Sequence, residues 1–180
     1  MKAVIDIETR NSFQDVGSRS NLTLLKVSVA VVYWYPEGKY YFFFEEDMEA
    51  LENLLSQAEY IIGFNTLGFD LPVLQQYMKT LQLANKKQID MMLELENILG
   101  YKVGLQAVAK GTLNMGKLSS GLEAIKMWEE DRIDELKKYC QEDVRLTKEI
   151  YEYGLNNKKV RFNAGWEDYD VPVNWAWKLF

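Results

Sequence analysis

The chain has 180 residues, the usual length of one domain, and 48% of them are apolar, enough for a full core. Its single cysteine, Cys140, excludes an intramolecular disulfide and indicates a reducing compartment. No apolar run approaches the ~20 residues of a membrane span, and Asp6 comes too early for a signal peptide. We therefore expect one soluble, cytoplasmic domain over residues 1–180.

The chain contains no histidine, and its formal net charge is −6. Histidine is the commonest general base and the commonest transition-metal ligand, so a hydrolytic site here must use carboxylates, hydroxyls, phenols, lysines or water. The acidic charge argues against a protein that coats nucleic-acid phosphates. Acids gathered around divalent ions would, however, be largely neutralised.

The order of predicted elements is strands first and helices later. Strands are predicted over residues 2–7, 25–35, 40–44, 60–64 and 87–90. Helices are predicted from Asp47, from Asp70 as far as Leu81, and over 91–99, 105–110, 122–128 and 132–153. This order predicts an α/β fold, a mixed β-sheet flanked by α-helices. Residues 157–180 are basic and then aromatic, so we expect a closing hairpin near 159–163 and 169–174, packed on the domain.

Asp6 and Glu8 are the first candidates for chemistry. They lie two residues apart on a predicted strand, so both carboxylates project from the same face. Burial of two adjacent like charges is costly unless a cation compensates them. The alternative is a strand on which Ile7 points inward while both acids are solvated at an edge.

Further candidates lie on two later elements. Asp70 begins a helix just beyond a buried strand, where open α/β sheets place their sites, although an ordinary helix N-cap is the alternative. Tyr139 and Asp143 are spaced i, i+4 on the last long helix and share a face. The alternative for this pair is a core tyrosine and an acid that is paired with a neighbouring base. The candidate bases are Arg132, Lys138 and Arg145.

Three motifs therefore occur in order on a strand, a turn and a late helix. They are Asp6-x-Glu8, Asn65-x-x-x-Phe69-Asp70 and Tyr139-x-x-x-Asp143. This combination resembles the DEDD 3′→5′ exonucleases in their tyrosine subtype (DEDDy), a ribonuclease H-like family that includes polymerase proofreading domains and ribonuclease D-like enzymes. The first two motifs are most similar to the proofreading domains of family B polymerases. Lys138 stands where the histidine subtype would have its histidine.

A narrower resemblance covers more of the chain. Three segments look like predicted stand-alone ribonuclease H-like exonucleases that also occur fused to helicases. They are Lys110-Gly-Thr-Leu-Asn, Gly121-Leu-Glu-Ala-Ile-Lys-Met-Trp and Val171-Pro-Val-Asn-Trp. This similarity implies a helicase or a repair protein as a partner.

The resemblance implies a metal-dependent exonuclease that hydrolyses phosphodiester bonds at single-stranded 3′ ends of DNA or RNA. Two Mg²⁺ or Mn²⁺ ions would be its cofactors, since hard cations suit a site built from oxygen ligands. The implied metal ligands are Asp6, Glu8 and Asp143 for the first ion, with Asp6 bridging to a second ion held by Asp70. Tyr139 would orient the attacking water, and the implied substrate contacts are Thr9, Asn65 and Phe69.

Three alternatives remain open at this point. They are a catalytically silent nucleic-acid-binding module, a structure-specific endonuclease of the same fold, and a scaffold subunit without nuclease activity.

Overall fold

The structure is a computed structural model that describes residues 1–115, 121–165 and 167–175. Its central sheet consists of β1 (Lys2–Thr9), β2 (Val27–Trp34), β3 (Lys39–Phe43), β4 (Tyr60–Gly63) and β5 (Lys87–Asp90). The strand order is β3-β2-β1-β4-β5. β2 pairs antiparallel with β1 and β3, whereas β1, β4 and β5 run parallel. β1 is thus the central strand, and the edge-strand alternative for Asp6 and Glu8 is wrong.

Helices cover both faces of this sheet, which confirms the predicted α/β fold. Those in the described residues are α1 (Met48–Gln57), α2 (Asp70–Gln75), α3 (Met91–Leu99), α4 (Leu105–Leu113), α5 (Gly121–Glu129) and α6 (Ile133–Asn157). In the same part of the chain, no helix has both the length and the apolar character needed to cross a membrane.

The side chains of β1 alternate between two hydrophobic layers. Val4 belongs to the layer that also holds apolar residues of α3 to α6. Ile5 and Ile7 belong to the opposite layer, with α1 and α2. Because successive side chains of a strand point to opposite faces, Asp6 and Glu8 lie on the Val4 face, beneath the long helix α6.

The helix that begins at Asp70 is shorter than predicted. It ends at Gln75, although the apolar spacing continues to Leu81. The reason is tertiary: the buried Glu52 carboxylate on α1 accepts the backbone N–H groups of Lys79, Thr80 and Leu81, at 2.7–2.8 Å. These donors bond a side chain instead of the carbonyls of a continuing helix, so the chain turns.

The predicted C-terminal hairpin is present as β6 (Lys159–Asn163) and β7 (Asp168–Pro172), paired antiparallel. It lies against α4, where the Thr112 hydroxyl donates to the Arg161 carbonyl and accepts from the Arg161 N–H. Trp175 is buried against α6 at Gly154, where a Cβ would collide with the indole ring. Residues 166 and 176–180 of the predicted aromatic extension lie outside the described residues.

Candidate active site

A cavity of ≈ 470 Å³ lies at the carboxyl ends of β1 and β4, with α6 on one side. This edge of a parallel sheet is where α/β proteins commonly bind ligands. All the site residues expected from the sequence line this cavity: Asp6, Glu8, Thr9, Asn65, Phe69, Asp70, Tyr139 and Asp143. The fold therefore brings three distant motifs to one place.

Asp6, Glu8 and Asp143 form a compact carboxylate cluster. One carboxylate oxygen from each lies within 4.8 Å of the other two. Two of these side chains come from β1 and the third from α6, which crosses the same face of the sheet. Like charges at this separation are unfavourable unless protons or cations neutralise them.

Among the residues that the structure describes, Asp143 has no neighbouring base to neutralise it. None of the ion pairs among the described residues involves Asp143. Arg145 is bound by Glu142 and Glu149, and Arg132 is bound by Glu130 and Glu135. The alternative in which Asp143 pairs with either arginine is therefore wrong.

Asp70 faces the same cavity from α2. Its Oδ1 accepts the Ile7 N–H of β1 at 3.1 Å, across 63 residues of sequence. Phe69 is the N-cap of α2, and Asp70 is its first helical residue. The capping alternative for Asp70 is thus wrong: its carboxylate is turned toward the strand that carries Asp6.

Burial raises the pKa of each of the four carboxyl groups, and repulsion within the set adds to the shifts of Asp6 and Glu8. For Asp6, burial comes first, followed by the charges of Asp70, Asp143 and Glu8. For Glu8, burial is followed by the charges of Asp143 and Asp70. Burial raises the pKa of Asp70 to about 7, against the lowering effect of backbone N–H donors, one of them from Ile7. Burial likewise raises the pKa of Asp143 to about 7, although a hydrogen bond from Tyr139 opposes this shift.

The residues fit divalent metal ions. The cluster offers only oxygen ligands, and in the part of the chain that the structure describes none of the four carboxylates has a Lys or Arg ion-pair partner. Such a set is self-repelling without a cation, and oxygen ligands suit Mg²⁺ and Mn²⁺ better than softer metals. Asp6, Glu8 and Asp143 could hold one ion, with Asp70 beside them.

Tyr139 lies next to the carboxylates and hydrogen-bonds to Asp143. Burial, followed by the charges of Asp143, Glu8 and Asp6, raises the pKa of the phenol above its ordinary value of 10. The hydroxyl is therefore protonated at neutral pH. It can orient a water molecule through a hydrogen bond, but it cannot serve as a general base.

The expected substrate contacts form the rest of the wall. Asn65 has a left-handed backbone conformation, with φ +71°. Phe69 makes an edge-on aromatic contact with Phe13, with ring centroids 5.9 Å apart. Thr9 is buried, and its hydroxyl donates to the Asn11 carbonyl at 2.9 Å. Toward the cavity, the same hydroxyl can therefore only accept a hydrogen bond.

Several residues of the site were not expected from the sequence. Phe13, Leu105 and Ile125 provide apolar wall, and their long-range approach leaves no local signal. The buried Cys140 thiol lies 3.5 Å from both the carbonyl oxygen and Oδ2 of Asp6. The only sign of this approach in the sequence was that Cys140 directly follows Tyr139 on α6.

The acidic cluster lies at the carboxyl edge of the parallel strands of an α/β domain, beneath a crossing helix, and could hold a metal ion. The sequence model of the RNase H superfamily matches residues 4–154, most of the chain, and the chain belongs to this superfamily. A search of curated proteins finds no relative that matches. Superfamily membership together with the acidic cluster indicates a metal-dependent nuclease that acts on nucleic acid.

Proposed function

We propose that this protein is a 3′→5′ exonuclease of the DEDDy type that removes nucleotides from single-stranded 3′ ends of DNA or RNA. The observation that carries the proposal is the convergence of four carboxylates and the Tyr139 hydroxyl in one cavity with an aromatic wall. The order of the three motifs along the chain supports the same conclusion, since they resemble those of this exonuclease group.

Asp6, Glu8 and Asp143 would hold one divalent ion, and Asp6 and Asp70 a second. When bound, two Mg²⁺ or Mn²⁺ ions supply positive charge that stabilises the attacking and leaving oxygens of a phosphodiester. The Ile7 N–H bond keeps Asp70 turned toward Asp6, so the protein contributes ligands that are already oriented.

Tyr139 and Glu8 position the attacking water. The phenol remains protonated, so its role is to hold the water by hydrogen bonding in line with the scissile bond. Asp143 accepts the Tyr139 hydrogen bond and thereby fixes the orientation of the ring. A phenylalanine at this position would keep the packing and lose the hydrogen bonds of the hydroxyl to Asp143 and to the water.

The shape of the cavity favours an unpaired strand end. Its volume of ≈ 470 Å³ falls within the ~300–1,000 Å³ of small-ligand sites. Phe69 and Phe13 present ring surface on which a terminal base can stack, and Asn65 offers an amide beside them. A paired terminus would have to unstack its last base first, which costs a few kcal/mol per step.

The test is cleavage of a 5′-labelled oligonucleotide in the presence of Mn²⁺, given as a single strand, a blunt duplex, a 3′-blocked strand and a closed circle. We expect a ladder from the free single strand, slower cutting of the duplex, and no cutting of the blocked strand or the circle. EDTA and Asp6→Ala should each abolish the ladder. Cleavage of the circle would identify an endonuclease, and binding without cleavage would identify a catalytically silent module. Matched DNA and RNA strands would then reveal the preferred substrate.

A further inference from the structure

Asp90 is a buried carboxylate that the proposed chemistry does not use. It ends β5, lies opposite Gly63 of β4, and its exposed fraction is 3%. It is not among the residues that line the catalytic cavity. Burial of a carboxylate is unfavourable unless its oxygens are hydrogen-bonded, so its partners indicate what it stabilises.

The Asp90 carboxylate accepts four backbone N–H groups. Oδ1 accepts from Met92 and Leu93 at 3.1 and 3.2 Å, which caps the N-terminus of α3. Oδ1 also accepts from Asn65 at 2.9 Å, and Oδ2 accepts from Leu67 at 2.9 Å. A helix cap needs only the first two bonds. The other two tie Asp90 to the turn between β4 and α2, more than 20 residues away.

This turn, residues 64–69, carries the groups expected to grip the substrate. Asn65 is held at φ +71°, a left-handed conformation that asparagine tolerates better than most residues with a side chain. At Gly68, a Cβ would lie 2.5 Å from the Asn65 Oδ1, so the turn is tightly folded on itself. Within the turn, Asp90 accepts the N–H of Asn65 itself and that of Leu67, and Phe69 lies two residues beyond Leu67.

We propose that Asp90 is a positioning residue for the substrate end: its carboxylate holds the turn so that Asn65 and Phe69 present their side chains to the terminal nucleotide. The proposal rests on the exonuclease function proposed above. Asp90 acts from outside the cavity and touches neither the reacting phosphate nor the cluster of Asp6, Glu8 and Asp143. Its loss should therefore weaken substrate binding much more than the chemical step.

Asp90→Asn weakens the attachment of residue 90 to the turn while leaving the helix cap in place. An asparagine oxygen at the Oδ1 position can still accept from Asn65, Met92 and Leu93. The amide nitrogen then faces the Leu67 N–H, donor against donor. Asp90→Ser is the second variant, because serine is a good N-cap for α3 but too short to reach the turn. Both variants keep the helix cap, but Asp90→Asn loses the bond to Leu67 and Asp90→Ser loses the bonds to both Asn65 and Leu67.

Glu52→Gln is the matched control. Glu52 is similarly buried, with an exposed fraction of 6%, and it too accepts three hydrogen bonds on one oxygen and one on the other. It lies on α1 among the opposite hydrophobic layer, and it does not line the catalytic cavity. The substitution thus breaks an equivalent carboxylate–backbone bond without touching the substrate turn.

The experiment measures KM and kcat for Mn²⁺-dependent cleavage of a 5′-labelled single strand, below the melting temperature of every variant. Binding of the same strand is measured by fluorescence anisotropy with Ca²⁺ in place of Mn²⁺. For both Asp90 variants we expect KM and the dissociation constant to rise about tenfold, as when a charge-assisted hydrogen bond that orders a binding loop is lost. We expect kcat to stay within about threefold, while Glu52→Gln leaves KM at the wild-type value.

Each other outcome has a definite meaning. Wild-type KM and strand affinity in both Asp90 variants would overturn the positioning role. An equal rise of KM in Glu52→Gln would also overturn it, because general destabilisation would then explain the effect. A wild-type protein that binds the strand without cutting it would refute the exonuclease proposal alone, since strand affinity still tests Asp90. A wild-type protein that neither binds nor cuts would refute both.

Discussion

Asp70→Asn should stabilise the metal-free protein while weakening its response to metal. The asparagine oxygen can still accept the Ile7 N–H that Asp70 Oδ1 accepts at 3.1 Å. The substitution removes a charge that is buried beside Asp6 and within reach of the charge of Asp90. Without a bound cation, that charge opposes folding.

The size and sign of the effect follow from the pKa of Asp70. Burial raises this pKa from 3.8 to about 7, so the folded protein holds the proton more tightly than the unfolded chain does. The stability that Asp70 contributes is complete below pH 3.8, is lost as the pH rises toward 7, and is constant above that. The full shift in pKa corresponds to about 4 kcal/mol in the free energy of unfolding. Neighbouring carboxyl groups relieve part of this cost by taking up protons. We therefore expect the free energy of unfolding of Asp70→Asn to exceed that of wild type by about 2 kcal/mol at pH 8, or about 6 °C in Tm.

The assay is thermal unfolding of wild type and Asp70→Asn in EDTA across pH 4 to 8, repeated at pH 8 with millimolar Mn²⁺. In EDTA the variant should match wild type near pH 4 and exceed it increasingly up to pH 7. Mn²⁺ should raise the Tm of wild type more than that of the variant, because binding to the folded state stabilises it by mass action. Asp134→Asn is the control, since this side chain is 90% exposed and should show neither effect.

Two results would refute this reasoning. A variant that is less stable than wild type in EDTA at pH 8 would mean that Asp70 is stabilised as an anion by the apo protein. A Tm difference that does not change with pH would mean that the substitution acts through packing and not through the charge.

Three further predictions concern the cavity wall. Tyr139→Phe should lower kcat by about 10- to 1,000-fold, the effect of one positioned group, and should leave Mn²⁺ affinity unchanged. An unaltered single-turnover rate would mean that Tyr139 is only a core residue. Phe69→Ala should weaken single-strand binding by about 1 to 3 kcal/mol in anisotropy titrations. Tyr169→Ala, on the hairpin, is the control and should leave binding unchanged. Equal losses of binding in the two variants would argue against stacking on Phe69. In urea titrations, the free energy of unfolding of Asn65→Ala should be about 1 kcal/mol below that of Asn65→Gly, because of the two only alanine is strained at φ +71°. Equal stabilities would mean that the turn relaxes.

The local elements could be predicted because their signals are local. The predicted bounds of α3, residues 91–99, are those of the structure. Its start is marked by Asp90, a good N-cap, and its end by Gly100, which adopts φ +80°. α2 is the counterexample. Its apolar spacing continues to Leu81, but the acceptor that ends it, Glu52, lies on another helix.

The order of the carboxylate and tyrosine motifs could be recognised in the sequence, but each motif alone also had a purely structural explanation. The sequence could not decide between a solvated edge pair and a buried cluster for Asp6 and Glu8, nor between a cap and a site for Asp70. Those choices depend on which strand is central and on which way a side chain turns. The fold decides them by placing β1 between β2 and β4 and by directing Asp70 to Ile7.

The sequence by itself determined the elements, the α/β class and the residue types that chemistry would need, because periodicity, caps and motif spacing are properties of neighbouring residues. Only the tertiary structure decided which of these residues meet. It brought Phe13, Leu105 and Ile125 into the cavity wall and the Cys140 thiol against Asp6. It also linked Asp90 to Asn65 across 25 residues. Contacts of this kind arise from packing between distant segments, which leaves no spacing pattern along the chain.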